Sequence, residues 1–127
     1  MNYLYVMIGG GAGALLRYFS NRFINSLFTD ITFPPGTLFV NCLGALLIGF
    51  AINIFELFPA ASGKWKLFIT TGFLGGYTTF STYALETAQY FINGNIKRAL
   101  TNILLNNVLC IVFVLSGMWL SKILFTK

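Results

Sequence analysis

The sequence predicts an all-α integral membrane protein of four transmembrane helices, the third broken mid-membrane. Three observations lead there. Of 127 residues, 57% are hydrophobic, 17% aromatic and only 9% charged, whereas a soluble domain usually carries about 25% charged residues. A compact soluble domain of this size could not hide so much apolar side chain, so lipid is the natural solvent. The apolar residues also fall into four runs, each long enough at about 1.5 Å per residue to cross a core about 30 Å thick. Finally, one run contains a stretch for which lipid-facing helix has no use. From Thr70 to Glu86 it mixes glycines, Ser/Thr hydroxyls, aromatic rings and a carboxylate. At membrane depth, irregular backbone survives only where protein covers it or a watery cavity meets it. That stretch is a packing seam or the place where something polar crosses.

The first span covers residues 3–24 and is glycine-rich at Gly9-Gly10-Gly11-Ala12-Gly13-Ala14. It has no basic segment before it and no suitable cleavage site after it, so it reads as a span and not as a signal peptide. The second covers residues 36–58. Pro34-Pro35 sets its start, since proline suits a first helical turn and not a helix interior. The third covers residues 65–92 and stops at Asn93-Gly94-Asn95. The fourth covers residues 99–125. The four form a single membrane domain over residues 1–127, with both termini on one side.

Charge excludes some functions and sharpens others. The net charge is +5, but the basic residues stand in ones and twos at span ends. A nucleic-acid footprint would cluster on one face, so no nucleic-acid partner is expected. There is no histidine, which removes imidazole metal sites, histidine triads and histidine proton relays. Cys42 and Cys110 lie in apolar runs and read as small buried hydrophobes. Lys64, Lys66, Lys122 and Lys127 fall on the terminus side; Arg17, Arg22, Lys97 and Arg98 fall on the other. The positive-inside rule needs an imbalance to choose an orientation, and here it has none. One reading is dual topology with an antiparallel homodimer; the other is a single orientation masked by scattered charge.

Several polar residues have two readings each. Arg17 either snorkels to the interface or lines a wet vestibule that attracts anions. Asn41, one turn beyond Thr37 on the same face, either bonds a neighbouring helix or donates to an anion from a pore wall. Asn102, Asn106 and Asn107 make part of the fourth span polar. The acids are Asp30 in a loop, Glu56 near the end of the second span and Glu86 inside the third. A charge at bilayer centre costs on the order of 2.5–3.5 kcal/mol, so Glu86 should face the bundle or a vestibule. The glycines of the first two spans, Gly9, Gly13, Gly44 and Gly49, favour close helix packing. A nucleotide-binding reading of Gly9 to Gly13 fails, because no strand precedes them and no suitably spaced acid follows. Phe80 and Tyr83 share a helical face, with Thr79, Ser81 and Thr82 around them. Such a pair is usually plain packing, but an aromatic ring has a positive edge that can favour an anion. Freed carbonyls at a helix break can coordinate a small cation.

Three ordered motifs carry a family resemblance that runs the length of the chain. They are Gly9-Gly10-Gly11-Ala12-Gly13-Ala14-Leu15-Leu16-Arg17-Tyr18, Pro35-Gly36-Thr37-Leu38-Phe39-Val40-Asn41-Cys42-Leu43-Gly44 and Gly75-Gly76-Tyr77-Thr78-Thr79-Phe80-Ser81-Thr82-Tyr83-Ala84-Leu85-Glu86. At these residues the sequence resembles the Fluc (CrcB) family of fluoride channels. The resemblance implies an antiparallel dual-topology homodimer with two fluoride pores, in a bacterial cell membrane. It implies a structural, untransported sodium ion held between subunits by the carbonyls of Gly75 and Thr78, at the break in the third span. It makes Asn41 a pore donor, Phe80 and Tyr83 the pore aromatics, Ser81 and Thr82 polar lining, and Arg17 a vestibule cation. Two departures stand out. Tyr83 replaces the family's second phenylalanine, and Cys110 stands where many members carry serine.

The functional expectation is a passive fluoride channel with no enzymatic activity. Hydrogen fluoride crosses membranes neutral and ionises inside, and a membrane potential then drives the anion out through a channel. A proton-coupled exporter of the small multidrug type also has four short spans, but would want an acid in the first span, which has none. A membrane protein that assembles without transporting is the third reading.

Overall fold

The computed structural model describes residues 2–29, 33, 35–61 and 63–125. Asp30, Pro34 and Lys127, which entered the reading of loops, helix start and charge, lie outside them. The described residues form four helical rods, one of them interrupted, and no strand. Helix α1 runs Asn2–Leu27 and α2 runs Pro35–Leu57. Pro35 opens α2, where its missing N–H costs nothing. The next N–H, of Gly36, donates to Asn25 Oδ1 at 2.9 Å, tying the start of α2 to the end of α1.

The third rod begins after a 3₁₀ turn, Pro59–Ala61. Helix α3 spans residues 63–77. It starts as α-helix over Gly63–Lys66, widens into π-helix over Leu67–Leu74 and returns to α over Gly75–Tyr77. Helix α4 then runs Phe80–Ile92. Between them Thr78 (φ −80°, ψ 160°) and Thr79 (φ −149°, ψ 107°) are extended. The interruption therefore falls on Thr78 and Thr79: Thr78 ends the expected Gly75–Thr78 break, but the glycines before it stay helical. Gly75 itself is helical (φ −62°, ψ −36°). Thr79 caps α4 by accepting the Thr82 N–H at 3.2 Å, the usual service of a threonine at a helix start. Gly94 ends this rod with φ +73°, a conformation that glycine adopts freely. Helix α5 runs Ile96–Phe125, starting three residues before the expected span.

The glycines do a different job from breaking the helix. A Cβ on Gly13 would lie 2.0 Å from the Phe73 carbonyl oxygen, and one on Gly76 would lie 2.4 Å from that of Gly10. Helices α1 and α3 thus meet backbone to backbone, the contact that small residues permit in lipid. A second seam joins α2 and α5. Asn41 bonds Asn106, a Cβ on Gly49 would strike the Val114 carbonyl, and Asn53 bonds Ser121. Residue numbers rise together along this seam, so the two helices run parallel.

Helices α2 and α5 are each long and apolar enough by themselves to cross a membrane. Large apolar side chains face outward, among them Met7, Phe23, Leu104, Ile111 and Trp119. Exposure on that scale marks a surface made for lipid or a partner. Arg17 stands ten residues before the end of α1, well inside the helix. Setting it aside, Lys64, Lys66 and Lys122 at one end face Arg22, Lys97 and Arg98 at the other, so the balance holds among the described residues.

Candidate functional site

The extended pair Thr78-Thr79 leaves backbone groups that the helix would have paired. Asn41 answers at Thr79 from both sides. Its Oδ1 accepts the Thr79 N–H at 2.8 Å, and its Nδ2 donates to the Thr79 carbonyl at 3.2 Å. The second hydrogen of the same Nδ2 goes to Asn106 Oδ1 at 3.0 Å. Both donors of Asn41 are thus held by the protein. The Thr78 carbonyl accepts from Arg17 at 3.1 Å. The Arg17 guanidinium therefore reaches inward to the break and does not snorkel outward. The Gly75 carbonyl has lost its helical donor, because the Thr79 N–H is turned to Asn41.

A hydrogen-bonded ladder continues from Asn41. Asn106 donates to Asn102 Oδ1 at 2.8 Å, Asn102 donates to Thr87 Oγ1 at 3.0 Å, and Thr87 donates to the Tyr83 carbonyl at 2.8 Å. Asn102 and Asn106 are buried, as amides in lipid must be if they are to find partners. Thr37 donates to Glu86 Oε1 at 2.5 Å, so this carboxylate faces α2. Its Oε2 is buried with no hydrogen-bond partner among the described residues. Asn21 and Asn25 extend that group toward the end of α1.

The predicted site residues divide between two cavities. One, of about 380 Å³, is lined by Asn41, Gly75, Thr78, Phe80, Tyr83 and Asn106, and further by Asn107 and Cys110. The rings of Phe80 and Tyr83 meet edge to face with centroids 5.4 Å apart. Phe80 is 76% exposed and Tyr83 8%, so one ring is open to lipid or a partner and the other is set into the fold. The second cavity, of about 340 Å³, is lined by Arg17, Thr79 and Thr82 with Asn21 and Arg22. Ser81 lines neither; it is exposed and sits 3.5 Å from the Thr79 hydroxyl. Arg17 and Thr82 thus stand on one side of the break, and Asn41, Phe80 and Tyr83 on the other.

Sequence reading missed the Asn53–Ser121 bond and the place of Thr87 in the ladder. A lone amide in an apolar span was the available signal for the first. Nothing local marks Thr87, whose partner is fifteen residues away. Asn102 and Asn106 were legible from their spacing, and their mutual bond follows it.

Among the described residues, no charged side chain lines the larger cavity. Fold and cavity define a class: a small helical membrane protein whose polar, uncharged groups gather at an interrupted crossing. Residues 4–118 match the model of the family described as CrcB-like protein, Camphor Resistance (CrcB). The chain is 46% identical to a fluoride-specific ion channel FluC of Clostridium perfringens over 96% of this chain and 94% of that one. It is 44% identical to one of Hydrogenobaculum, over 98% and 100%, and 39% identical to one of Campylobacter fetus, over 95% and 94%. The chain belongs to the CrcB family, a family of membrane proteins.

Proposed function

We propose that this protein is a fluoride channel that lets the anion leave the cell passively down the membrane potential. The observation that carries the reading is the larger cavity, where neutral amides and aromatic rings gather with no carboxylate or cation among the described residues. Neutral donors suit a small anion that must bind and then leave. Moving one charge through the membrane potential is worth about 2.3 kcal/mol per 100 mV, so no coupling chemistry is needed. The names of the relatives point the same way. Asn41, Phe80 and Tyr83 line the path, while Thr82 belongs with Arg17 to the second cavity across the break and Ser81 lies outside both. Arg17, with its charge at the break, raises the local anion concentration. Because both Asn41 hydrogens are already bonded, donation to fluoride requires the bond to Asn106 or to Thr79 to be exchanged.

The working unit is an antiparallel homodimer of four-span subunits inserted in both orientations. Equal basic charge at the two ends and the exposed faces of Phe80 and Ser81 support it. A structural sodium ion fits between the subunits. Backbone carbonyls are hard oxygen donors suited to such a cation. The Gly75 carbonyl is released by the turn of Thr79 toward Asn41, and Thr78 keeps one lone pair beside that taken by Arg17. The ion would supply fixed positive charge that joins two breaks, and nothing transported.

Fluoride-loaded liposomes test the reading. With voltage set by a potassium ionophore and no proton gradient, an external fluoride electrode should record efflux that follows the potential. Absence of efflux would reject the channel, and proton-dependent movement of lipophilic cations would establish an exporter. Phe80→Ile should lower the flux; unchanged flux would remove Phe80 from the path. Sodium-free medium should reduce both flux and cross-linked dimer, and equal values in both media would reject the sodium assignment.

A further inference from the structure

We infer that the Tyr83 hydroxyl, oriented by Asn107, is an O–H donor to fluoride inside the larger cavity. This rests on the reading of that cavity as a fluoride site. Tyr83 is 92% buried, being 8% exposed, yet it lines the cavity. Asn107 Nδ2 donates one hydrogen to the Tyr83 oxygen at 3.0 Å and the other to the Ile103 carbonyl at 2.7 Å. A primary amide has two hydrogens, so Asn107 has none left for an anion. The phenol is left with its own hydrogen, which has no acceptor among the described residues. Asn102 and Asn106 stand on the same helix as Asn107, but their amides are held in the ladder. In a buried setting such an orphan donor is costly, unless an acceptor arrives.

The chemistry favours fluoride as that acceptor. A hydrogen bond to an ion is roughly twice as strong as one between neutral groups. The Asn107 bond polarises the phenol, which strengthens its outgoing hydrogen bond. A phenylalanine here offers only a ring edge, whose positive charge is weak and diffuse. Tyr83 thus replaces a ring edge with a directed donor. The bound anion is held more tightly, and flux saturates at lower fluoride.

Wild type, Tyr83→Phe and Asn107→Leu are compared in liposomes by fluoride electrode, and in detergent by ¹⁹F relaxation of added fluoride. Tyr83→Phe keeps the ring shape and should fold. It should raise the half-saturating fluoride concentration about tenfold, matching an ionic hydrogen bond. Asn107→Leu should shift it the same way by about threefold, since it removes the polarising bond and leaves the donor. Equal half-saturation in wild type and Tyr83→Phe by both methods overturns the inference while leaving the channel standing. Tyr83-dependent fluoride binding without flux rejects the channel but supports the donor. Absence of fluoride binding to wild type overturns the donor directly.

Discussion

The two halves of the third rod are built on opposite principles. Helix α3 is pressed against α1 with no side chains between the backbones at Gly13 and Gly76. Helix α4 is held by polar groups: the Asn41 clamp on Thr79, the Thr79 cap and the Thr87 end of the amide ladder. The first half has steric certainty and almost no adjustability. The second has directed bonds, each replaceable by a bond to something else. A passage for an ion needs both, because one wall must stay still while groups on the other trade partners.

Substitutions can separate the two principles. The largest effect is expected at Gly13→Leu, whose Cβ would lie 2.0 Å from the Phe73 carbonyl oxygen. Backbone cannot yield there, so size-exclusion chromatography should find no monodisperse protein. Next comes Asn41→Leu, which leaves the Thr79 N–H unpaired and takes the side-chain donor from the Thr79 carbonyl. Each lost partner costs about 1–3 kcal/mol, so the thermal midpoint should fall clearly and fluoride flux should drop to background. Retention of normal flux would show that the clamp is dispensable. Thr79→Ala removes the cap of α4, worth about 1 kcal/mol, and the hydroxyl bond to Thr82 Oγ1 at 2.9 Å, while the Asn41 clamp stays. Hydrogen exchange should quicken at the Thr82 amide while α3 stays protected; equal quickening in both halves would erase the distinction. Asn102→Leu breaks the ladder at its middle, and polar contacts in membranes average about 0.6 kcal/mol, so a small loss of stability is expected. Gly11→Ala should change nothing measurable, since no atom of a neighbouring described residue lies within 4 Å of its Cβ position. A large effect there would mean that α1 packs through a face which this chain alone leaves open.

Much of the fold was legible before any coordinates. Apolar run length marked the spans, Pro35 and Gly94 marked ends, and the spacing of Asn102 and Asn106 marked a shared face. These features depend on local geometry, which a sequence carries. The interruption near residue 78 was also legible as a conflict between apolar setting and polar content. Its exact residues were not, because glycine propensity argued for Gly75, whereas the outcome was decided by Asn41, thirty-eight positions away from Thr79.

By itself the sequence determined the solvent, the four rods, the balance of end charges and the set of polar residues that lipid could not accept. Only the tertiary structure decided how those residues share their hydrogens. It spent both Asn41 donors on the protein, turned Arg17 to the Thr78 carbonyl, sent Thr82 to the other cavity and left the Tyr83 hydroxyl with a hydrogen to give. The physical reason is that a helix period fixes which face a side chain occupies, while a hydrogen bond needs two groups whose meeting depends on every packed helix between them.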